Sequence, residues 1–369
     1  MSSFQIEIQI IAVLVALACA IPGVFLVLRK NAMVSDAISH SILPGIVVGF
    51  FLTQDINSPI LILLAAITGL LTVFLVEWIH NTGLVKEDTS IGLVFPALFS
   101  IGVLLISRAV GNVHLDIDAV LLGELVFAPF DRFYFDEADW GPKSFWVMGS
   151  ILLVNLILLL LFYKELKIST FDAGLAAAFG FSPILIHYIL MFVSSVTIVG
   201  AFDAVGSVLV VGLIIVPAAI ANLFTNSLRG MIVISMFCAA TAAVLGYWVA
   251  HWINASIAGT IMVVLGVFFI LSYLFSPEHG RIIQIFRMRQ QKEEIYLLTM
   301  LLHLQSHEDK SEKSIMHLQE HINWTAEKSN KIIQLAQEKK LIKIQAGMIV
   351  LTPNGEAFSE SKINEILRG

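Results

Sequence analysis

Nine stretches of this chain are apolar for the length of a bilayer crossing, and they leave it few ways to fold outside a membrane. They occupy residues 8–28, 35–53, 59–79, 91–107, 145–162, 184–201, 205–224, 231–250 and 257–275. A hydrocarbon core about 30 Å thick is crossed by ~20 helical residues, and backbone groups in lipid must bond within their own helix. At 57% hydrophobic and 14% charged residues over 369 positions, the composition is far more apolar than a globular domain requires. The second run is the weakest, because it carries Asp36 and His40 and is broken by Pro44-Gly45. The expected fold is an all-α polytopic membrane protein of eight or nine transmembrane helices, followed by a small α+β winged helix-turn-helix domain.

The last 89 residues differ in kind. Residues 281–369 hold 13 Lys+Arg and 11 Asp+Glu, whereas residues 1–280 hold 9 and 17. The expected division is a membrane domain over 1–278, a linker over 279–291 and a soluble domain over 292–369. Cys19 and Cys238 both lie inside apolar runs and read as packing residues. No basic segment precedes the first run, so a cleaved signal peptide is not expected. No phosphate-binding GxxxxGK[ST] loop occurs; residues 141–144, GPKS, lack its glycine-rich turn, so any ATP must be bound by another chain.

Loop charge gives the orientation. Arg29-Lys30, Lys86, Lys164 with Lys167, and Arg229 fall in alternate loops, which the positive-inside rule places in the cytoplasm. The N-terminus is then outside and the tail inside, at a plasma membrane. The long loop 108–142 lies outside and carries Asp116, Asp118, Glu124, Asp131, Asp136, Glu137 and Asp139. It reads equally as a solvated loop or as a surface that draws cations or seats a delivery protein. Its apolar part, 120–130, suits a helix lying on the membrane surface.

Residues 29–45, RKNAMVSDAISHSILPG, carry the chemistry. Asp36 and His40 are four apart, so they stack on one helix face. If Arg29-Lys30 marks the membrane edge, a rise of 1.5 Å per residue puts Asp36 roughly 9 Å deep and His40 roughly 15 Å. A charge at that depth costs about 2.5–3.5 kcal/mol, tolerated where the group meets water, a counter-charge or a cation. One carboxylate oxygen and one imidazole nitrogen suit Mn²⁺, Fe²⁺ or Zn²⁺. The bland alternative is a polar pair satisfied by neighbouring helices. His251, at the outer end of the eighth run, completes this site, guards its entrance, or is a satisfied interfacial histidine. Asp203 reads as a loop carboxylate, and neither His80 nor His114 receives a role.

Two further segments have character. The inner loop 164–182 mixes charge, glycine and alanine and reads as a turn with a short helix. In the seventh run Pro217 lies among Ala218, Ala219 and Ala221, where a broken helix could turn along the surface. A short helix over Asn222 to Arg229 could then dock into a cytoplasmic partner; the plain alternative is a kinked helix packed in the bundle.

Three of these segments, in this order, resemble the permease subunits of bacterial manganese/zinc/iron ABC importers. Residues 25–45 are similar to that family's Arg-Arg or Arg-Lys pair leading into Asp-x-x-x-His-x-x-x-Pro-Gly. Residues 171–181, FDAGLAAAFGF, resemble its cytoplasmic Asp-x-x-x-Ala-x-x-x-Gly segment, and residues 205–221, VGSVLVVGLIIVPAAIA, its Val-Gly…Pro-Ala-Ala run. The likeness spans about residues 8–278. It implies an importer in which two permease subunits, alike or different, form the pore. A pair of cytoplasmic ATP-binding subunits powers it and an external metal-binding protein delivers cargo. It also implies that Asp36 and His40 contact the passing metal, with no cofactor held permanently. The chain departs from the family after the eighth run, where residues 251–260 lack the usual Asp-x-Pro-x-Gly.

The tail's pattern is soluble. Residues 294–307 and 313–321 read as helices, Thr325 as the N-cap of a third that runs to about 340, 341–355 as two short strands, and 356–367 as a last helix. This order, with the LTPNGEAFSE segment, resembles the DNA-binding domain of diphtheria-toxin-type metal repressors. Lys328, Lys331, Lys339 and Lys340 lie on the would-be recognition helix, but Glu327 and Glu338 share it and the net charge is small. His303 with His307, and His317 with His321, have the i,i+4 spacing of a divalent-metal site. They read either as a cytoplasmic metal sensor or as ordinary helix histidines. The sequence thus supports a permease subunit that does no covalent chemistry, with membrane lipid around it. The rival is a membrane-anchored, metal-responsive regulator with DNA as partner. An intramembrane metalloprotease ranks last, since no HExxH occurs.

Overall fold

The computed structural model describes residues 3–55, 58–109, 125–135, 138–277, 280–306, 322, 324–345 and 348–368. The chain divides into two compact units, Met1–Gly280 and Arg281–Gly369.

The first unit is a helical bundle. Its helices are α1 (Ser3–Leu28), α2 (Ala32–Ser41), α3 (Leu43–Thr53), α4 (Pro59–Asn81), α5 (Glu87–Ala109), α6 (Lys143–Leu161), α7 (Tyr163–Phe171), α8 (Ala173–Ala178), α9 (Pro183–Val205), α10 (Ser207–Phe224), α11 (Leu228–Ile253) and α12 (Ile257–Phe275). Taking α2 and α3 together, the described residues hold nine helical segments long and apolar enough to span a membrane.

Helix α1 is the axis of the bundle and packs on α6, α9, α10 and α11. Its buried residues mix small ones, Ala12, Ala16, Ala18, Cys19, Ala20 and Gly23, with large ones such as Ile11, Phe25 and Leu26. A Cβ on Gly23 would collide with the carbonyl of Ile214 on α10, so the two backbones touch there. Close approach of this kind holds helices together where lipid removes the hydrophobic driving force. Asn155 of α6 reinforces it, donating to the Ala18 carbonyl at 3.1 Å and to Thr197 Oγ1 at 3.0 Å.

The second span is divided at Ile42. Pro44 stands in the first turn of α3 and has no N–H for the carbonyl of His40, four residues earlier. The break expected at Pro44-Gly45 is therefore present, immediately beyond His40.

Pro217 behaves differently. Helix α10 runs through it without interruption to Phe224, with Ala218 and Ala221 buried beside it. Asn222 lies in the last turn of α10, and Ser227 caps α11, whose first turn contains Arg229. The separate helix expected over 222–229 is replaced by a tight turn, since small neighbours accommodate the proline ring without breaking the helix. Short helices occur instead at α7 and α8. Asp172 caps α8, accepting from the Leu175 N–H at 2.8 Å.

The loop after α5 holds a feature the sequence does not announce, a hairpin of β1 (Arg132–Phe135) and β2 (Ala138–Pro142). Arg132 bridges Asp139 at 2.7 Å and Glu7 of α1 at 3.4 Å. The Arg132 guanidinium, then the Gly141 N–H, hold the Asp139 carboxyl below its usual range. Of the surface helix expected over 120–130, residues 120–124 lie outside the described residues; 128–130 form one 3₁₀ turn.

In the second unit α13 (Arg281–Ser306) begins at the division itself, so residues 281–291 of the segment read as a linker are helical. Then come α14 (Ala326–Glu338), the antiparallel hairpin β3 (Ile342–Gln345) with β4 (Met348–Leu351), and α15 (Pro353–Arg368). Thr325 caps α14 as expected, accepting from the Lys328 N–H at 3.4 Å. Leu297, Met300, Leu301, Leu304, Ile332, Ile333 and Ile349 form its core. The helix expected over 313–321 lies outside the described residues.

Candidate metal centre

Helix α2 carries two chemically distinct faces. Val34, Ser35, Ala37, Ile38, Ser39 and Ser41 are buried. The three serines are satisfied locally: Ser35 donates to the Ala32 carbonyl at 2.6 Å, Ser39 to Ser35 at 2.9 Å, and Ser41 meets Thr72 Oγ1 of α4 at 2.6 Å. Small hydroxyl residues thus dock α2 closely on α4. A Cβ on Gly69 would meet Ser195 of α9 and lie 2.9 Å from Ile38, so the fit leaves no spare room.

The other face presents Asp36 and His40. Asp36 Oδ1 and His40 Nε2 are 3.5 Å apart, with side chains 42% and 37% exposed. That separation exceeds a well-formed hydrogen bond. The pair is therefore convergent but not closed, and its lone pairs remain open to a third party. The His40 ring also lies 5.9 Å from that of Phe95 on α5. Among the described residues no group of three or more His, Cys, Asp or Glu could hold a metal, so this unit offers two side-chain ligands here.

His251 is not brought to this pair. It sits in the last turn of α11, exposed, its ring parallel to Tyr247 at 6.3 Å and edge-on to Trp248 at 6.1 Å. Asp203 lies in the last turn of α9 and is exposed. Arg229 stacks over the Tyr163 ring at 5.5 Å, tying the start of α11 to the start of α7. In the second unit His303 is buried on α13, while His307, His317 and His321 lie outside the described residues.

A second polar cluster was not anticipated. Glu77 of α4 accepts from Tyr188 at 2.9 Å and lies 2.5 Å from His187 Nε2; both partners are on α9. The other ring nitrogen, Nδ1, faces Arg29 Nη1 at 3.4 Å. A guanidinium can only donate and a carboxylate only accepts, so these contacts suit neutral His187 protonated at Nε2. Arg29 also donates to Ser169 Oγ and Thr170 Oγ1 of α7, each at 3.2 Å. Burial lowers the Arg29 pKa from its ordinary value. The available signal was Glu77 itself, a lone carboxylate in an apolar run.

Nine spanning segments among the described residues, gathered about a buried first helix, with an open polar pair on a broken span, have the build of a membrane transport permease. The chain belongs to the ABC 3 transport family, whose model matches residues 1–276. It is a permease subunit, not an enzyme. It is 44% identical over 363 residues to the zinc transport system membrane protein TroD of Treponema pallidum, covering 97% of this chain and 98% of that one. It is also 44% identical over 292 residues to the manganese transport system membrane protein MntD of Bacillus subtilis, covering 79% and 99%. Among solved structures, PsaBC from Streptococcus pneumoniae in complex with Fab matches with a TM-score of 0.64 at 30% identity, over 76% of this chain and 94% of that one.

Proposed function

We propose that this permease subunit carries a divalent transition metal ion, Mn²⁺, Zn²⁺ or Fe²⁺, into the cell, and that Asp36 and His40 are its contacts with the ion. The observation that carries the reading is the open pair, one helical turn apart on a spanning segment and half-exposed on the unit's surface. One oxygen and one nitrogen are a borderline set that these three ions accept. Two side chains hold an ion loosely enough to release it. Water, and the same pair on a second permease subunit facing this one, would complete the coordination sphere. The zinc and manganese systems named for the two relatives support this class of cargo. His251 stands apart from the pair and fits an entrance better than a ligand.

The orientation rests on loop charge: Arg29, Lys86, Lys164, Lys167 and Arg229 face the cytoplasm, and the Arg132 hairpin faces outward, where an external metal-binding protein would dock. The α7–α8 segment is the stronger candidate for seating an ATP-binding subunit. Phe171, Leu175 and Phe179 are exposed on it, an apolar patch outside the spans. Pro217, Asn222 and Arg229 would contribute at its edge through the Arg229–Tyr163 contact. Binding and hydrolysis of ATP by a pair of such subunits would rock the helices and alternate access to the pair.

The test is ATP-driven accumulation of Mn²⁺, Zn²⁺ or Fe²⁺ in proteoliposomes holding the permease and its ATP-binding subunit. Failure to accumulate any of the three with active ATP hydrolysis would remove this reading.

The tail fits a winged helix, with α14 as the helix a DNA binder would insert and β3–β4 as the wing. Two of the lysines on α14 are engaged within the unit. Lys328 Nζ sits 3.6 Å from the Tyr296 ring centroid and 5.3 Å from that of Trp324, and Lys331 pairs with Glu293 at 3.1 Å. A regulatory or packing role suits this better than phosphate contact. The alignment to MntD covers 99% of that protein in 292 residues, so a permease of this family works without such a tail. A chain ending at Gly280 is accordingly expected to retain metal uptake within a factor of ~2–3, measured as labelled-ion accumulation per inserted permease. Complete loss would make the tail part of the transport machinery.

A further inference from the structure

Arg29 occupies a position that the cargo contacts alone do not explain. Three residues separate α1 from α2, and the joint is taut. Arg29, Lys30 and Asn31 donate their N–H groups to Phe25, Val27 and Leu26 at 2.9, 3.1 and 2.9 Å. Lys30 takes a left-handed φ of 63°, unusual for a side chain with a Cβ. A movement of Arg29 is therefore a movement of the start of α2, and Asp36 lies only two turns further on.

At its other end the same side chain grips α7. Its bonds to Ser169 and Thr170 fall on the last turn of α7, two residues before Asp172 caps α8. His187 relays its remaining contact to Glu77 on α4, the helix against which Ser41 and Thr72 hold α2. A cavity of about 530 Å³ separates these parts, lined among others by Arg29, Val34, Glu77, Ala173 and His187. It reaches from the first residue of α8 to the buried face of α2, so the cluster has room to shift without repacking the core.

We infer that Arg29, with Ser169, Thr170, His187 and Glu77, is a clasp that transmits movement of α7–α8 to the helix bearing Asp36 and His40. These are positioning residues; none touches the cargo. The inference rests on α7–α8 being the seat of the ATP-binding subunit. A push on α8 displaces Ser169 and Thr170, which carry the part-buried guanidinium with them through their two hydrogen bonds. Arg29 then turns the start of α2. His187 and Glu77 provide the fixed post that returns it. Lysine cannot replace arginine here, because one ammonium cannot reach two hydroxyls and an imidazole in a fork.

The experiment uses the permease with its ATP-binding subunit in proteoliposomes and reads three quantities: metal ions moved per ATP hydrolysed, the hydrolysis rate, and equilibrium Mn²⁺ binding. For Arg29→Gln and Arg29→Lys the ions moved per ATP are expected to fall by ~10-fold, within the usual range of coupling between sites. Hydrolysis and Mn²⁺ affinity are expected to stay near the parent's. The double variant Ser169→Ala/Thr170→Val removes two hydroxyls and leaves the fold its best chance. It is expected to lower the same ratio. An unchanged ratio in that double variant overturns the clasp, as does a parallel fall in hydrolysis and transport in all three. Loss of Mn²⁺ binding in Asp36→Ala with an unchanged ratio in the clasp variants would leave the cargo site standing and remove only the clasp.

Discussion

Asp36→Ala and His40→Ala are each expected to reduce metal uptake by ~100-fold or more, with normal membrane insertion. Loss of an outer partner of a metal ligand already costs 10–100-fold in affinity, and loss of a ligand itself costs at least that. The pair lies 3.5 Å apart with no third acidic, imidazole or thiol group in a metal-holding group among the described residues, so no neighbour can substitute. Both side chains are partly exposed on the unit and unlocked by each other, so truncation removes ligands without opening a hole in the core. The fold should survive. The measurement is accumulation of labelled Mn²⁺ and Zn²⁺ in cells, normalised to permease in the membrane. Parent-like uptake in both variants would show that the ion passes elsewhere. Asp36→Asn is the sharper control: it keeps the shape and removes the charge, and it should be nearly as defective as Asp36→Ala.

Gly45→Val should be the most damaging substitution in the second span that removes no polar side chain. A Cβ at Gly45 would meet Thr68 Oγ1, lie 2.5 Å from the Leu64 carbonyl oxygen and 2.8 Å from Ala65 Cα, all on α4. Backbone atoms cannot rotate out of the way, so α3 must move off α4. Overpacking of this kind costs about 1–3 kcal/mol, and a branched side chain against backbone falls at the upper end. Because α3 continues from α2 through Ile42, the displacement also turns Asp36 and His40. A lower melting temperature of the purified permease and loss of uptake should therefore appear together. A parent-like melting temperature would mean that α3 and α4 do not meet at this glycine.

Much of this architecture is written in the sequence because lipid removes alternatives. A run of twenty apolar residues in a membrane has one outcome, so α1, α4, α10 and α11 fall where hydropathy puts them. That Asp36 and His40 share a face was legible too, because i,i+4 spacing on a helix fixes it. Pro44 acts on its own turn and was also readable. Pro217 was not, since whether a proline breaks a helix depends on the packing around Ala218 and Ala221, which no local pattern records. The β1–β2 hairpin was not readable because its short strands, RFYF and ADWGP, show no sustained apolar–polar alternation, and the Arg132–Glu7 bridge that ties it to α1 joins residues far apart in the chain. The Arg29 cluster was not readable because its partners are remote in sequence. Its contacts with α7 and α9 reach across some 140 to 158 positions, and a hydropathy average hides Glu77 inside an otherwise apolar span.

Helix α1 is translated before the other described spans, yet the neighbours that enclose it include α10 and α11, translated last but two and last but one among those spans. Its alanine-rich face, with Gly23 awaiting Ile214, must therefore remain bare to lipid or to the insertion machinery until most of the polypeptide has been made. Biogenesis of this subunit thus closes later spans upon an earlier one, and premature release of a fragment ending before Ser207 would leave α1 lined by α6 and α9 but without α10 and α11.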